Sequence, residues 1–122
     1  MINIDEMQDM LDELAEELPQ EFYNELNGGI LLLPETRVSY YAQNDDLFTL
    51  GEYRISYPMG RYIVMYYGSF CRAYGGLSNE RMKEKLRETL RHEFRHHLES
   101  LSGERGLENE DAEYIKKYLG GF

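Results

Sequence analysis

All three histidines of this 122-residue chain fall between positions 92 and 97, inside the stretch RHEFRHHLES. His92 and His96 are four residues apart. On a helix, at about 100° per residue, they point the same way, roughly one turn apart. Two imidazoles so placed can reach one metal ion, and zinc suits that ligand type. Glu93 directly follows His92, turned away from the ligand axis, where it can accept a proton from a water polarised by the metal. The spacing is H-E-x-x-H. On a helix it reads as two zinc ligands and the general base of a peptide hydrolase. The competing reading is a solvated polar face that happens to carry histidines. The amphipathic helix around the motif favours the metal. His97 lies on the opposite, core-facing side and is expected to be packed or hydrogen-bonded rather than a ligand.

A catalytic zinc takes three protein ligands and a water. The chain has no fourth histidine, and its single cysteine, Cys71, belongs to a distant stretch. The third ligand is therefore expected to be a carboxylate. Glu99 shares the histidine face but stands about 10.5 Å along the axis from His92, at about 1.5 Å per residue. The segment GLENEDAEYI that follows Gly103 offers Glu108, Glu110, Asp111 and Glu113. Acidic residues also suit the first turn of a helix, so that segment has a purely structural reading too.

The motif needs a helix to carry it. Leu86, Leu90, Phe94, Leu98 and Leu101 mark one apolar face of a helix predicted over 79–102, with Ser78 as N-cap and Gly103 as its stop. A loop at 104–106 and a last helix over about 109–119 follow. At the other end, Ile4, Met7, Leu11, Leu14 and Leu18 form an apolar stripe over 4–18. Pro19 opens a short helix around 20–26, and Asn27-Gly28-Gly29 is a turn. The middle reads as strands: Ile30–Leu33, Arg37–Ala42, Leu47–Leu50 with Tyr53–Tyr57 broken at Gly51, and Arg61–Tyr67. The last is apolar or aromatic on both faces, as in a strand covered on both sides. A turn is expected at 44–46 and a glycine-rich loop over 68–76. Helices, then strands, then helices make an α+β pattern.

These elements carry a resemblance. LRHEFRHHLESLSGERGLENEDAEYI resembles the small bacterial zincin-like metallopeptidases that began as a domain of unknown function. ELPQEFYNEL before a short apolar strand is similar to that family's opening, and YIVMYYGSF to the strand and loop before its active-site helix. The doubled histidine His96-His97 is part of the likeness, which extends over most of the chain. The resemblance implies a minimal zincin-like fold: N-terminal helices, a small mixed sheet, a long metal-binding helix packed against it and a short C-terminal helix. It implies zinc peptidase activity, with His92 and His96 as ligands and Glu93 as the base. Many relatives read H-E-x-x-H-x-x-G-x-x-D. Here Glu99 stands at the glycine position and Ser102 at the Asp position, so the helix is expected to continue and the acidic ligand to come later. Analogy with the Asp that opens the relatives' final helix points to Asp111 and, after it, Glu108. A non-catalytic binding or regulatory module on the same scaffold is the alternative.

Composition narrows the partners. At this length the chain is most simply one domain, 1–122. Twenty-three acidic residues against thirteen Lys and Arg give a net charge of −10. That balance argues against a nucleic-acid backbone and against an anionic membrane surface. One cysteine excludes an intramolecular disulfide. The acidic N-terminus lacks a signal peptide's basic region, and the apolar run at 30–33 is too short to span a bilayer. The expectation is a cytoplasmic protein that acts on a peptide or protein substrate.

Overall fold

The computed structural model describes residues 2–42, 44 and 47–105, without the side chains of 104 and 105. Its architecture is α+β, with three α-helices and a mixed three-stranded sheet among the described residues. Helix α1 is Ile4–Glu16. Asn3 caps it: its side chain accepts from the Glu6 amide at 2.8 Å while the Glu6 carboxylate accepts from the Asn3 amide at 3.0 Å. The helix stops two residues short of the expected 18, and Leu18 is buried in the segment beyond it. The short helix expected over 20–26 is one 3-10 turn, Gln20–Tyr23.

The strands are β1 (Gly29–Leu33), β2 (Gly51–Ser56) and β3 (Gly60–Tyr66). β3 is central, parallel to β1 and antiparallel to β2. Side chains alternate along a strand, so β3 serves two faces. Ile63 and Met65 join the main core with the helices, while Tyr62, Val64 and Tyr66 pack with Leu31 and Leu33 on the other face. The two-sided burial expected of this strand is therefore present.

Four expectations are corrected. Arg37–Ala42 is not a strand; its pairing is a single bridge, Val38 to Phe48. The Arg37 amide is taken by the Ser69 hydroxyl at 2.8 Å, which draws the segment away from a sheet. Gly51 does not break the extended stretch but begins β2. The glycine-rich loop is instead helix α2, Tyr67–Tyr74, anchored by fully buried Phe70. Gly68 serves close packing there, since a Cβ would collide with Thr36. Finally, helix α3 runs Asn79–Arg105 and passes through Gly103. Glycine in a helix interior costs only about 1 kcal/mol, and here it does not end the helix. The expected last helix, 109–119, lies outside the described residues, as do Asp45 and Asp46 of the expected turn. Among the described residues no helix is long and apolar enough to cross a membrane.

Candidate metal centre

Helix α3 positions the motif because its two faces differ. Met82, Leu86, Leu90, Phe94, Leu98 and Leu101 are buried against α1 and the sheet. Ser78 caps the start, its hydroxyl accepting from the Arg81 amide at 3.3 Å. The apolar face leaves His92 and His96 exposed on the other side, one turn apart, as their spacing requires. Their Nε2 atoms lie 3.1 Å from each other, with the rings edge-on at 89°. Two nitrogens bound to one tetrahedral zinc at about 2.0–2.1 Å would stand about 3.3 Å apart. The pair thus fits a shared cation with little movement. Partial burial, then the neighbouring His96 and Arg95, hold the His92 imidazole below its ordinary range, the neutral form that ligates a metal.

Glu93 is turned inward and is 6% exposed. Burial pushes its carboxyl up to about 7, and the negative charge of Glu52 adds to the shift. Glu52 lies on β2. Burial works to raise its carboxyl too, but bonds from Tyr66, Arg37 and Arg54 outweigh that and hold it low. The Tyr66 hydroxyl donates at 2.6 Å and Arg37 at 2.7 Å. Two carboxylates near one site are thus set apart in acidity, Glu52 ionised and Glu93 poised near neutrality.

Between α3 and β2 runs an open cleft of about 730 Å³, with His92, Glu93 and His96 on the helix side and Tyr53 and Ile55 on the strand side. Gly51 lets the helix come this close. A Cβ there would stand 3.0 Å from the Thr89 methyl and 3.2 Å from the Met65 sulfur.

His97 is fully buried on the core side, as its position on the helix requires. Its Nε2 is 2.9 Å from the Asn24 carbonyl and its Nδ1 is 2.8 Å from the Tyr53 hydroxyl. A carbonyl only accepts, so Nε2 carries the proton and a neutral ring accepts from Tyr53 at Nδ1. Arg61, 9% exposed, donates to the Tyr53 hydroxyl at 2.8 Å and also to Ser100. Burial lowers the His97 imidazole and keeps it neutral.

The structure therefore brings His92, Glu93 and His96 together. Asp111 and Glu108 lie outside the described residues. Glu99 lines the cleft, with its carboxylate accepting from Arg95 at 2.9 Å. Among the described residues no group of three His, Cys, Asp or Glu is arranged to hold a metal ion. Sequence reasoning missed Glu52, Tyr53, Arg61 and Gly51. Their signal was present only as alternation along β2 and β3, which names a face but not what stands opposite it.

No family model and no curated protein matches the sequence. Among solved structures, the chain is similar to a conserved hypothetical protein from Thermus thermophilus. The identity is 32% and the TM-score 0.68, over 83% of this chain and 98% of that one. Identity at that level across nearly the whole of the other protein, with the same fold, is shared descent: this chain belongs to the family of that conserved hypothetical protein.

Proposed function

We propose that this protein is a zinc-dependent metallopeptidase of minimal zincin type, acting on peptide or protein substrates in the cytoplasm. The observation that carries the reading is the 3.1 Å pairing of the His92 and His96 Nε2 atoms in an open cleft, with Glu93 beside them. A long helix packed on a small mixed sheet is the scaffold such a site needs, which supports the zincin reading. His92 and His96 would hold the zinc, with a carboxylate from beyond α3 as third ligand, Asp111 first and Glu108 next. Bound there, zinc supplies Lewis-acid polarisation of the scissile carbonyl and of water. Glu93 takes the proton of the attacking water and returns it to the departing amine. Burial holds this carboxyl up at about 7 in the metal-free protein, and a cation held by the neighbouring histidines would favour the ionised form that accepts the proton.

The burial of Glu93, 6% exposed, equally suits a non-catalytic binding or regulatory module, in which that carboxyl serves packing rather than proton transfer. One experiment separates the two readings. Protein purified without chelators or a nickel column is assayed for zinc, then incubated with a mixed peptide library at neutral pH beside Glu93→Gln. About one zinc per chain and cleavage lost in Glu93→Gln is the expected result. Zinc without cleavage moves the module ahead, and absence of zinc overturns the metal site.

A further inference from the structure

The cleft does not end at the histidines. A second recess of about 410 Å³ opens on the N-terminal side of His92 and shares Gly51, His92 and Glu93 with the first. Its walls are of a different character. Phe48, Leu50 and Thr89 line it, with the Glu88 carboxylate at its rim. Phe48 is held from outside by the Arg72 guanidinium, 5.3 Å from its ring centre, and its backbone is bridged to Val38. Leu50 packs on the main core. The aromatic and aliphatic walls thus have support from outside the recess, and Thr49 and Gly51 complete that side of the lining. On the opposite side of the histidines the cleft is lined by Glu52, Tyr53, Glu99 and Ser100. Both of those carboxylates are already answered, by Arg37 and Arg54 and by Arg95. Charge on that arm therefore gives little selectivity, and the apolar recess is where a side chain can be chosen.

We infer that the Phe48, Leu50 and Thr89 recess is the specificity pocket of this site, and that it seats a large aromatic or aliphatic side chain of a peptide next to the bond over His92 and His96. The inference rests on the metal-site reading, and continuity with that site argues the occupant: the recess shares Gly51, His92 and Glu93 with the cleft, so a peptide lying over the histidines has the recess beside it. An apolar group moved from water into such a recess gains about tenfold or more in affinity.

The test uses binding rather than turnover. Zinc-loaded protein is titrated calorimetrically with acetohydroxamic acid and with 3-phenylpropanohydroxamic acid, two chelators that differ in one apolar arm. The phenyl compound is expected to bind about tenfold tighter. In Phe48→Ala that ratio falls toward one, and in Phe48→Leu much of it is kept. Leu47→Ala, at the exposed neighbouring position, keeps the full ratio. Circular dichroism and zinc content verify each variant before titration. If acetohydroxamate binds but the phenyl arm adds nothing, the recess is not a pocket and the metal site stands. If the advantage persists unchanged in Phe48→Ala, the ring sits elsewhere and the inference falls. If the protein holds no zinc and binds neither probe, both readings fall together.

Discussion

At the scale of single residues, the two adjacent histidines His96 and His97 have opposite fates and should respond oppositely to substitution. His92→Ala and His96→Ala are expected to abolish zinc binding and leave the fold stable, because both rings are exposed. His97→Ala is expected to keep about one zinc per chain but to lose stability. It strands the Asn24 carbonyl, takes the acceptor from the Tyr53 hydroxyl proton while Arg61 still donates to that oxygen, and opens a buried hole, a loss of about 2–4 kcal/mol in denaturant unfolding. Loss of zinc in His97→Ala equal to that in His96→Ala would show the faces wrongly assigned. Glu93 gives a second prediction. Its carboxyl sits at about 7 when folded against an ordinary 4.5. A raised carboxyl favours the folded state only while protonated, so chelator-treated protein should lose stability as pH rises from about 4.5 through about 7. At about 1.4 kcal/mol per pH unit the loss is on the order of 3 kcal/mol. Glu93→Gln should be free of that decline while losing about 10²–10⁴-fold in any peptide hydrolysis. Parallel stability profiles for the two proteins would remove the case for a poised buried acid. The motif residues were legible because an i, i+4 pair declares its own geometry. Glu52 and Tyr53 were not, because their roles depend on a strand partner and a helix that one stretch of sequence does not name.

At the scale of elements, the fit between α3 and β2 decides whether the histidines overlook a cleft. The methyl added by Gly51→Ala would press on Thr89, Met65 and the Val64 carbonyl. The expected cost is about 1–3 kcal/mol, and trimming the opposing methyl with Thr89→Ala should recover part of it in the double variant. Additive losses in that cycle would mean that the helix does not lie on the glycine. The third ligand proposed for the zinc also belongs to this scale. Asp111→Ala is expected to weaken zinc binding far more than Glu99→Ala, since Glu99 stands along the same helix and is engaged by Arg95. Greater damage from Glu99→Ala would require α3 to bend. Damage from Glu108→Ala would shift the ligand but keep a returning segment. Element types were legible where periodicity was long, as in α1 and α3. Helix α2 was hidden because Gly68, which permits close packing on Thr36, looks in sequence like a residue that permits a loop.

At the scale of the whole molecule, the net charge of −10 is not evenly spread. The acidic α1 lies along the basic first half of α3, where Glu17 accepts two bonds from Arg87 at 2.9 Å and Glu13 pairs with Lys83. These surface pairs are each worth at most about 1 kcal/mol and should weaken with salt. The core they flank is one continuous cluster from Ile2 to Leu98. That much followed from composition and pattern. The order β1-β3-β2 did not, because a parallel pair is chosen by the path of the chain between its strands and not by either strand alone.

The hydrogen bond from His97 to the Asn24 carbonyl joins residues 73 apart in sequence, and the Tyr67 hydroxyl reaches the Ile2 carbonyl across 65. Contacts that distant must close large loops before they return any energy, and a fold rich in them is slow to form. The histidine pair, by contrast, needs only one turn of helix. If the pair is the zinc site proposed above, a nascent α3 would offer its two ligands before a cleft exists around them. On the proposed zinc reading, metal held by that early chain would stabilise the unfolded state as well as the native one, and the finished protein would gain less from zinc than the affinity of the folded site alone would give.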